Sequence, residues 1–158
     1  MKVILGLLGI GLACLALAAC GGGGGSSGSD RQQIENVFNG MFSAMQQGDY
    51  GRVCGYLSQR QQNSLVSGAR QVGVTASSCS DALTSLLKKA GLTRAELARA
   101  FGLSATKRKV DSLSVHGQKA TVTFTETTGG HTYRETDSLV REGGKWRADR
   151  IVKRTQTD

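Results

Sequence analysis

Proline is absent from the 158-residue chain, and no functional reading attaches to that absence. Aromatic residues make up only 5% of it, so every large ring is needed to fill a core. Histidine is limited to His116 and His131. The downstream cysteines therefore have no histidine nearby, and two thiols fall short of the four ligands a structural zinc requires. No metal site and no cofactor is expected. Acidic side chains are also scarce, 12 against 20 Lys and Arg. An excess of base draws a protein toward acidic partners or simply keeps it soluble.

What is present begins at the N-terminus. One charge, Lys2, precedes Val3-Ile4-Leu5-Gly6-Leu7-Leu8 and further Ala, Leu and Gly up to Ala19. A positive start, a short apolar core and small residues at its end describe a secretory signal over residues 1–19. Leu17-Ala18-Ala19-Cys20 resembles the lipobox of bacterial lipoproteins, in which small residues precede a cysteine that is acylated and becomes the mature N-terminus. That resemblance makes Cys20 a palmitate-type lipid anchor. It implies a protein secreted to the extracytoplasmic face of the cell membrane, within the cell envelope. Each buried methylene of an acyl chain contributes about 0.8 kcal/mol, and two chains hold a protein on a bilayer durably. The alternative is an ordinary transmembrane anchor whose cysteine is incidental.

Of the four cysteines, Cys14 leaves with the signal and Cys20 carries lipid, which leaves Cys54 and Cys79. Outside the cytoplasm such a pair persists as a disulfide; the other reading is two separate buried thiols. Residues 20–29 are the lipidated cysteine and a run of glycine and serine that behaves as a flexible coil. Residues 30–158 are long enough for one domain. Removal of Lys2 takes one charge from the total and leaves about +7, a balance suited to anionic lipid headgroups and other anionic envelope polymers. Lys107, Arg108, Lys109, Arg147, Arg150, Lys153 and Arg154 would bias orientation on such a surface.

The first half of the domain reads as helical. Ile34, Val37, Phe38, Met41, Phe42 and Met45 fall on one helical face, with Asp30 and Gln33 as a capping box and Gly48 as the stop. Tyr50, Val53, Cys54 and Leu57 continue a short segment. Ser58 with Gln61 caps a third helix carrying Leu65, Val66 and Ala69 inward, and Ser78 with Asp81 caps a fourth that ends at Gly91. Cys54 and Cys79 both fall on inward faces. The segment Thr93–Phe101, capped by Thr93 and Glu96, resembles the start of a helix-turn-helix. That motif needs a second helix reaching base edges, and alternating sequence follows instead. No nucleic-acid partner is expected.

From Val110 the period changes to 2. Val110–Val115, Lys119–Thr127, Thr132–Arg141 and Lys145–Lys153 read as strands. They are joined at His116-Gly117-Gln118, Thr128-Gly129-Gly130 and Glu142-Gly143-Gly144. A parity change between Ala148 and Ile151 marks a bulge. The class is α+β, with N-terminal helices packed against a curved antiparallel four-stranded sheet.

This order of elements resembles the nuclear transport factor 2-like superfamily, whose cone-shaped sheet closes over an N-terminal helix. The long helix running into Gln47-Gly48-Asp49-Tyr50 carries the resemblance, as does the hairpin Val140-Arg141-Glu142-Gly143-Gly144-Lys145-Trp146-Arg147. Cys54 and Cys79 are placed like the cysteine pair of secreted bacterial lipoproteins of this type. The Thr93–Phe101 segment departs from the pattern. The superfamily includes ketosteroid isomerase and polyketide cyclases as well as non-catalytic modules, so the fold alone argues weakly for chemistry.

Candidate catalytic groups by type are Asp49, Tyr50, Tyr56, His116, His131 and Tyr133, and no pair among them shows a motif spacing. The expectation is therefore a non-catalytic binding or accessory module. Phe42, Phe124, Tyr133 and Trp146 are the candidate walls of a pocket for an apolar small ligand, with core packing as their alternative use. The other function class is a small-molecule enzyme of the ketosteroid-isomerase or polyketide-cyclase type.

Overall fold

A computed structural model describes residues 27–96, 107–128 and 130–157; Cys20, the expected signal over residues 1–19 and the second half of the Thr93–Phe101 segment lie outside them. The expected capping box at Asp30 and Gln33 is absent, because α1 (Ser27–Gln47) starts three residues earlier. Gln33 instead bonds Ser29 Oγ at 3.0 Å. Asp30 is buried and accepts from Trp146 Nε1 at 3.0 Å and from Arg141. A residue read as a local cap is thus a long-range tie between helix and sheet. Gly48 ends α1 at φ 72°, a left-handed conformation that disfavours side chains with a Cβ.

The other helices start where their capping residues place them. Asp49 accepts from Arg52 N in α2 (Tyr50–Gly55). Ser58 accepts from Gln61 N in α3 (Gln59–Gln71), and Ser78 from Asp81 N in α4 (Cys79–Ala90). Gly91 closes α4 in the left-handed conformation, its N–H returning to Leu87 and Lys88 carbonyls. Thr93 and Glu96 form the expected reciprocal box, with Thr93 N to Glu96 Oε2 at 2.7 Å. Among the described residues no helix is long and apolar enough to cross a membrane.

The strands β1 (Lys107–His116), β2 (Lys119–Thr128), β3 (His131–Glu142) and β4 (Lys145–Gln156) form one antiparallel meander in the order β1-β2-β3-β4. The architecture is α+β, as the change of period implies. The expected irregularity near Ala148 resolves into two bulges. Leu139 pairs with Ala148 but Ser138 with Arg150, and Asp137 pairs with Ile151 but Thr136 with Lys153, so Asp149 and Val152 are the extra residues. A bulge bends its strand and re-aims a side chain. Here it turns Asp149 into the interior, where Ser58 Oγ donates at 2.8 Å and Arg60 Nε at 3.0 Å. Beside it, Tyr56–Ser58 lies along β4, with Ser58 N donating to Ala148 O at 2.8 Å and Ala148 N to Tyr56 O at 2.9 Å.

One main core joins the layers. Ile34, Phe38, Met41 and Met45 of α1 meet Val122, Phe124, Leu139 and Trp146 of the sheet. Phe38 and Phe124 stand edge to face at 4.6 Å between centroids. A smaller cluster of Ala69, Val74, Ala76 and Ala82 holds α3 to α4. The Cys54–Cys79 disulfide links α2 to the first residue of α4, 25 positions apart. In the chain-entropy picture a loop of that size stabilises by about 3–4 kcal/mol. Replacing both cysteines by alanine should lower the unfolding free energy by about that amount in urea, and an unchanged midpoint would show that the bridge carries no stability.

Candidate functional site

Period-2 alternation decides which side chains face the helices. On β2 the inward set is Ala120, Val122, Phe124 and Glu126; on β3 it is Glu135, Asp137 and Leu139, each of them buried. The register sets Glu135 beside Phe124, Asp137 beside Val122 and Arg108 beside Glu126. One end of the inward face is apolar and the other is charged. This charged end is the functional feature that sequence reading missed. Its signal was there: Glu135 and Asp137 share the parity of Leu139, and Glu126 that of Phe124.

The charges interlock. Glu126, with no exposed surface, accepts from Arg108 Nη2 at 2.8 Å on one oxygen and from Arg154 Nη2 at 2.8 Å on the other. Arg154 Nε faces Glu135 Oε2 at 3.3 Å. Arg108 also lies over the Phe124 ring at 4.7 Å, and Arg154 over Tyr133 at 4.5 Å, a favourable arrangement for a guanidinium. Arg108 and Arg154 thus face inward and leave the expected surface stripe of base. Asp137 Oδ1 and Glu135 Oε2 are both buried without a hydrogen-bond partner among the described residues; Glu135 has Arg154 beside it, whereas Asp137 has no ion-pair partner there.

Burial first, and the Glu135 charge second, push the Asp137 carboxyl up to about 8, against an opposing pull from Arg108. Glu135 is also raised, by burial and by Glu126, with Arg154 and Arg108 opposing. The two acids also act on each other, in the direction that favours the protonated form of Asp137 and the ionised form of Glu135. At neutral pH Asp137 is therefore a neutral acid beside the Glu135 carboxyl.

Both acids line a cavity of about 80 Å³. Its apolar wall comes from the helical half, with Phe38, Met41, Met45, Val53, Leu65 and Leu83, and from Leu57 and Ala148. Gln61, Arg108, Glu135, Asp137 and Asp149 supply polar surface, and the exposed Arg150 and Ile151 form the rim. About 10–15 Å³ of such space holds one water, so the cavity has room for several water-sized groups.

The expected pocket walls lie elsewhere. Phe124 and Trp146 are 0% and 2% exposed and belong to the core, and Phe42 packs against it. Tyr133 sits under Arg154. None of the four lines the cavity; Phe124 borders a separate recess with Glu35, Asn39 and Arg108. With so few rings in the chain, core packing claims Phe124 and Trp146, and Phe38 with methionine and leucine side chains lines the cavity instead. The residues considered for catalysis are dispersed. Asp49 is an exposed helix cap, Tyr50 and Tyr56 pack on the core, and His116 and His131 are exposed, bonding Ser114 Oγ and Gln156 Nε2. Among the described residues no group of three or more His, Cys, Asp or Glu is placed to hold a metal.

No protein-family model and no curated protein sequence matches this chain.

The sign of the Asp137 shift fixes a pH dependence. Between an ordinary aspartate value of 3.8 and about 8, the folded protein keeps a proton that the unfolded chain releases. Its contribution to stability is full below about pH 4 and falls as pH rises to about 8. Asp137→Asn should therefore gain at least about 1 kcal/mol relative to wild type on going from pH 4.5 to pH 8, one pKa unit being worth about 1.4 kcal/mol. Urea unfolding at the two pH values measures this, and an identical pH slope in both proteins would refute the buried neutral acid.

Proposed function

We propose that this protein is an exported lipoprotein, held through lipid on Cys20 at the extracytoplasmic face of the cell membrane, whose folded body is a non-catalytic binding module. The body is read as a nuclear transport factor 2-like cone. Support for that fold reading comes from the order of elements, the long first helix under the sheet, and the bulges that bend β4. Support for the location comes from Leu17-Ala18-Ala19-Cys20, the glycine tract that follows, and a disulfide suited to an oxidising compartment.

The observation that carries the binding reading is the cavity itself. Methionine and leucine side chains form its wall, and a buried carboxyl without a partner for one oxygen lies in it. Apolar surface with a few convergent polar groups is the usual make-up of a small-ligand site. The ligand is small, with an apolar body and one polar end. The basic surface that remains, including Lys109, Arg147, Arg150 and Lys153, suits the anionic headgroups beside the anchor.

One observation favours a second reading. A neutral acid next to a carboxylate is equipment for proton transfer, which fits a ketosteroid-isomerase or polyketide-cyclase type of enzyme. Against it, about 80 Å³ holds only part of a substrate of that size, and none of the tyrosines and histidines considered for catalysis lines the space.

Mass spectrometry of protein purified from bacterial membranes tests the anchor. The expected mature chain begins at Cys20 with two or three acyl chains, and Cys20→Ala should move most of the protein out of the membrane fraction. An uncleaved or unacylated chain, or an unchanged distribution of the variant, would contradict the proposal.

A further inference from the structure

The cavity's charges do not balance. Three carboxyl groups, Glu126, Glu135 and Asp137, share the inward face with two guanidinium groups, Arg108 and Arg154. Nearby charges are engaged elsewhere or lie in solvent. Asp149 is paired with Arg60, Glu35 of α1 is paired with Arg31 at 3.2 Å, and Arg150 is exposed at the rim. The other side chains that the helices contribute to the cavity are apolar, apart from the uncharged Gln61. Among the described residues, one positive charge is missing.

The position of the missing charge is defined. Glu126 has a guanidinium on each oxygen, and Glu135 faces Arg154. Asp137 is only 6% exposed, and its Oδ1, buried like Glu135 Oε2 without a hydrogen-bond partner among the described residues, has no ion-pair partner there either. The cavity that Asp137 lines is also lined by Met41, Met45 and Leu65. That combination asks for a group bearing N–H donors and one positive charge at one end, and a short alkyl body at the other. Among the described residues no group of three or more His, Cys, Asp or Glu is placed to hold a bare metal ion there.

We propose that the cavity binds a small primary alkylammonium ion, its nitrogen on Asp137 Oδ1 and its chain against Met41, Met45 and Leu65. This rests on the reading of the cavity as a ligand site and gives that ligand a chemical class. Without the ammonium, a proton on Asp137 stands in for the missing charge. When the ammonium enters, Asp137 ionises and its proton passes to solvent, so the nitrogen keeps all three of its hydrogens and no bond of the ligand is broken. An alcohol of the same shape brings no charge, and a carboxylate brings the wrong one.

The test uses the full chain in non-ionic detergent, with carbon-13 in its methionine methyl groups. Met41 and Met45 line the cavity and report occupancy there. Butylammonium, 1-butanol and butyrate are titrated in turn. Butylammonium should shift both methyl resonances and bind at least tenfold more tightly than 1-butanol, while butyrate should not bind. Asp137→Asn should reduce butylammonium affinity to that of the alcohol and leave the alcohol's own affinity unchanged. On the wild-type chain, calorimetry at pH 7 in buffers of different ionisation enthalpy should show about one proton released per ammonium bound. This readout does not depend on the variant folding. Equal or tighter binding of 1-butanol or butyrate, or ammonium binding without proton release, would overturn the charge inference while leaving a ligand cavity in place. No methyl shift with any of the three would overturn the cavity reading as well.

Discussion

The constraint on which the architecture turns is the burial of Glu126 between two arginines on the inward face of the sheet. A carboxylate without exposed surface is tolerable only when both oxygens are satisfied. Here Arg108 reaches it from β1 and Arg154 from β4, each at 2.8 Å. Strands from the two edges of the sheet therefore converge on one side chain of β2. The same guanidinium groups cover Phe124 and Tyr133, so the polar cluster and the aromatic core hold each other in place.

From that arrangement the cavity follows. The apolar end of the sheet is filled by Leu139, Trp146 and the first helix. At the charged end, side chains committed to ion pairs do not interdigitate with Met41, Met45 and Leu83 as hydrocarbon would, and space remains between the layers. The bulge at Asp149 widens the effect by turning that residue toward Ser58 and Arg60. Stability and vacancy have one source: polar groups that must pair with each other leave the hydrocarbon opposite them unfilled. In the proposed function that vacancy is the ligand site.

Much of this was legible in the sequence. The serines at 58 and 78 cap helices because their hydroxyls replace a missing acceptor at the first turn, a local effect that needs no tertiary information. The strands follow from alternation, and the bridged cysteines follow from two inward faces. Asp30 was misread because a capping residue and a buried acceptor look alike until Trp146 and Arg141 are brought to it from more than a hundred positions away. Phe42, Phe124, Tyr133 and Trp146 read equally as pocket wall or as core, because ring scarcity favours the core without saying which rings enter it, and the core takes Phe124 and Trp146. The acidic triad was overlooked because acids in strands are ordinarily read as surface. Its inward parity became meaningful once Phe124 and Leu139 were seen to face the helices.

The central claim is that Asp137 is a buried acid held neutral by its surroundings, the vacancy in an otherwise paired cluster. Following its side-chain carboxyl carbon by NMR from pH 3 to pH 10 tests this most directly. The account predicts a midpoint near 8, with the resonance still that of a protonated acid at pH 6. A midpoint near 4, as for an aspartate in water, would mean that the cluster is already balanced and that the cavity has no place reserved for a positive charge.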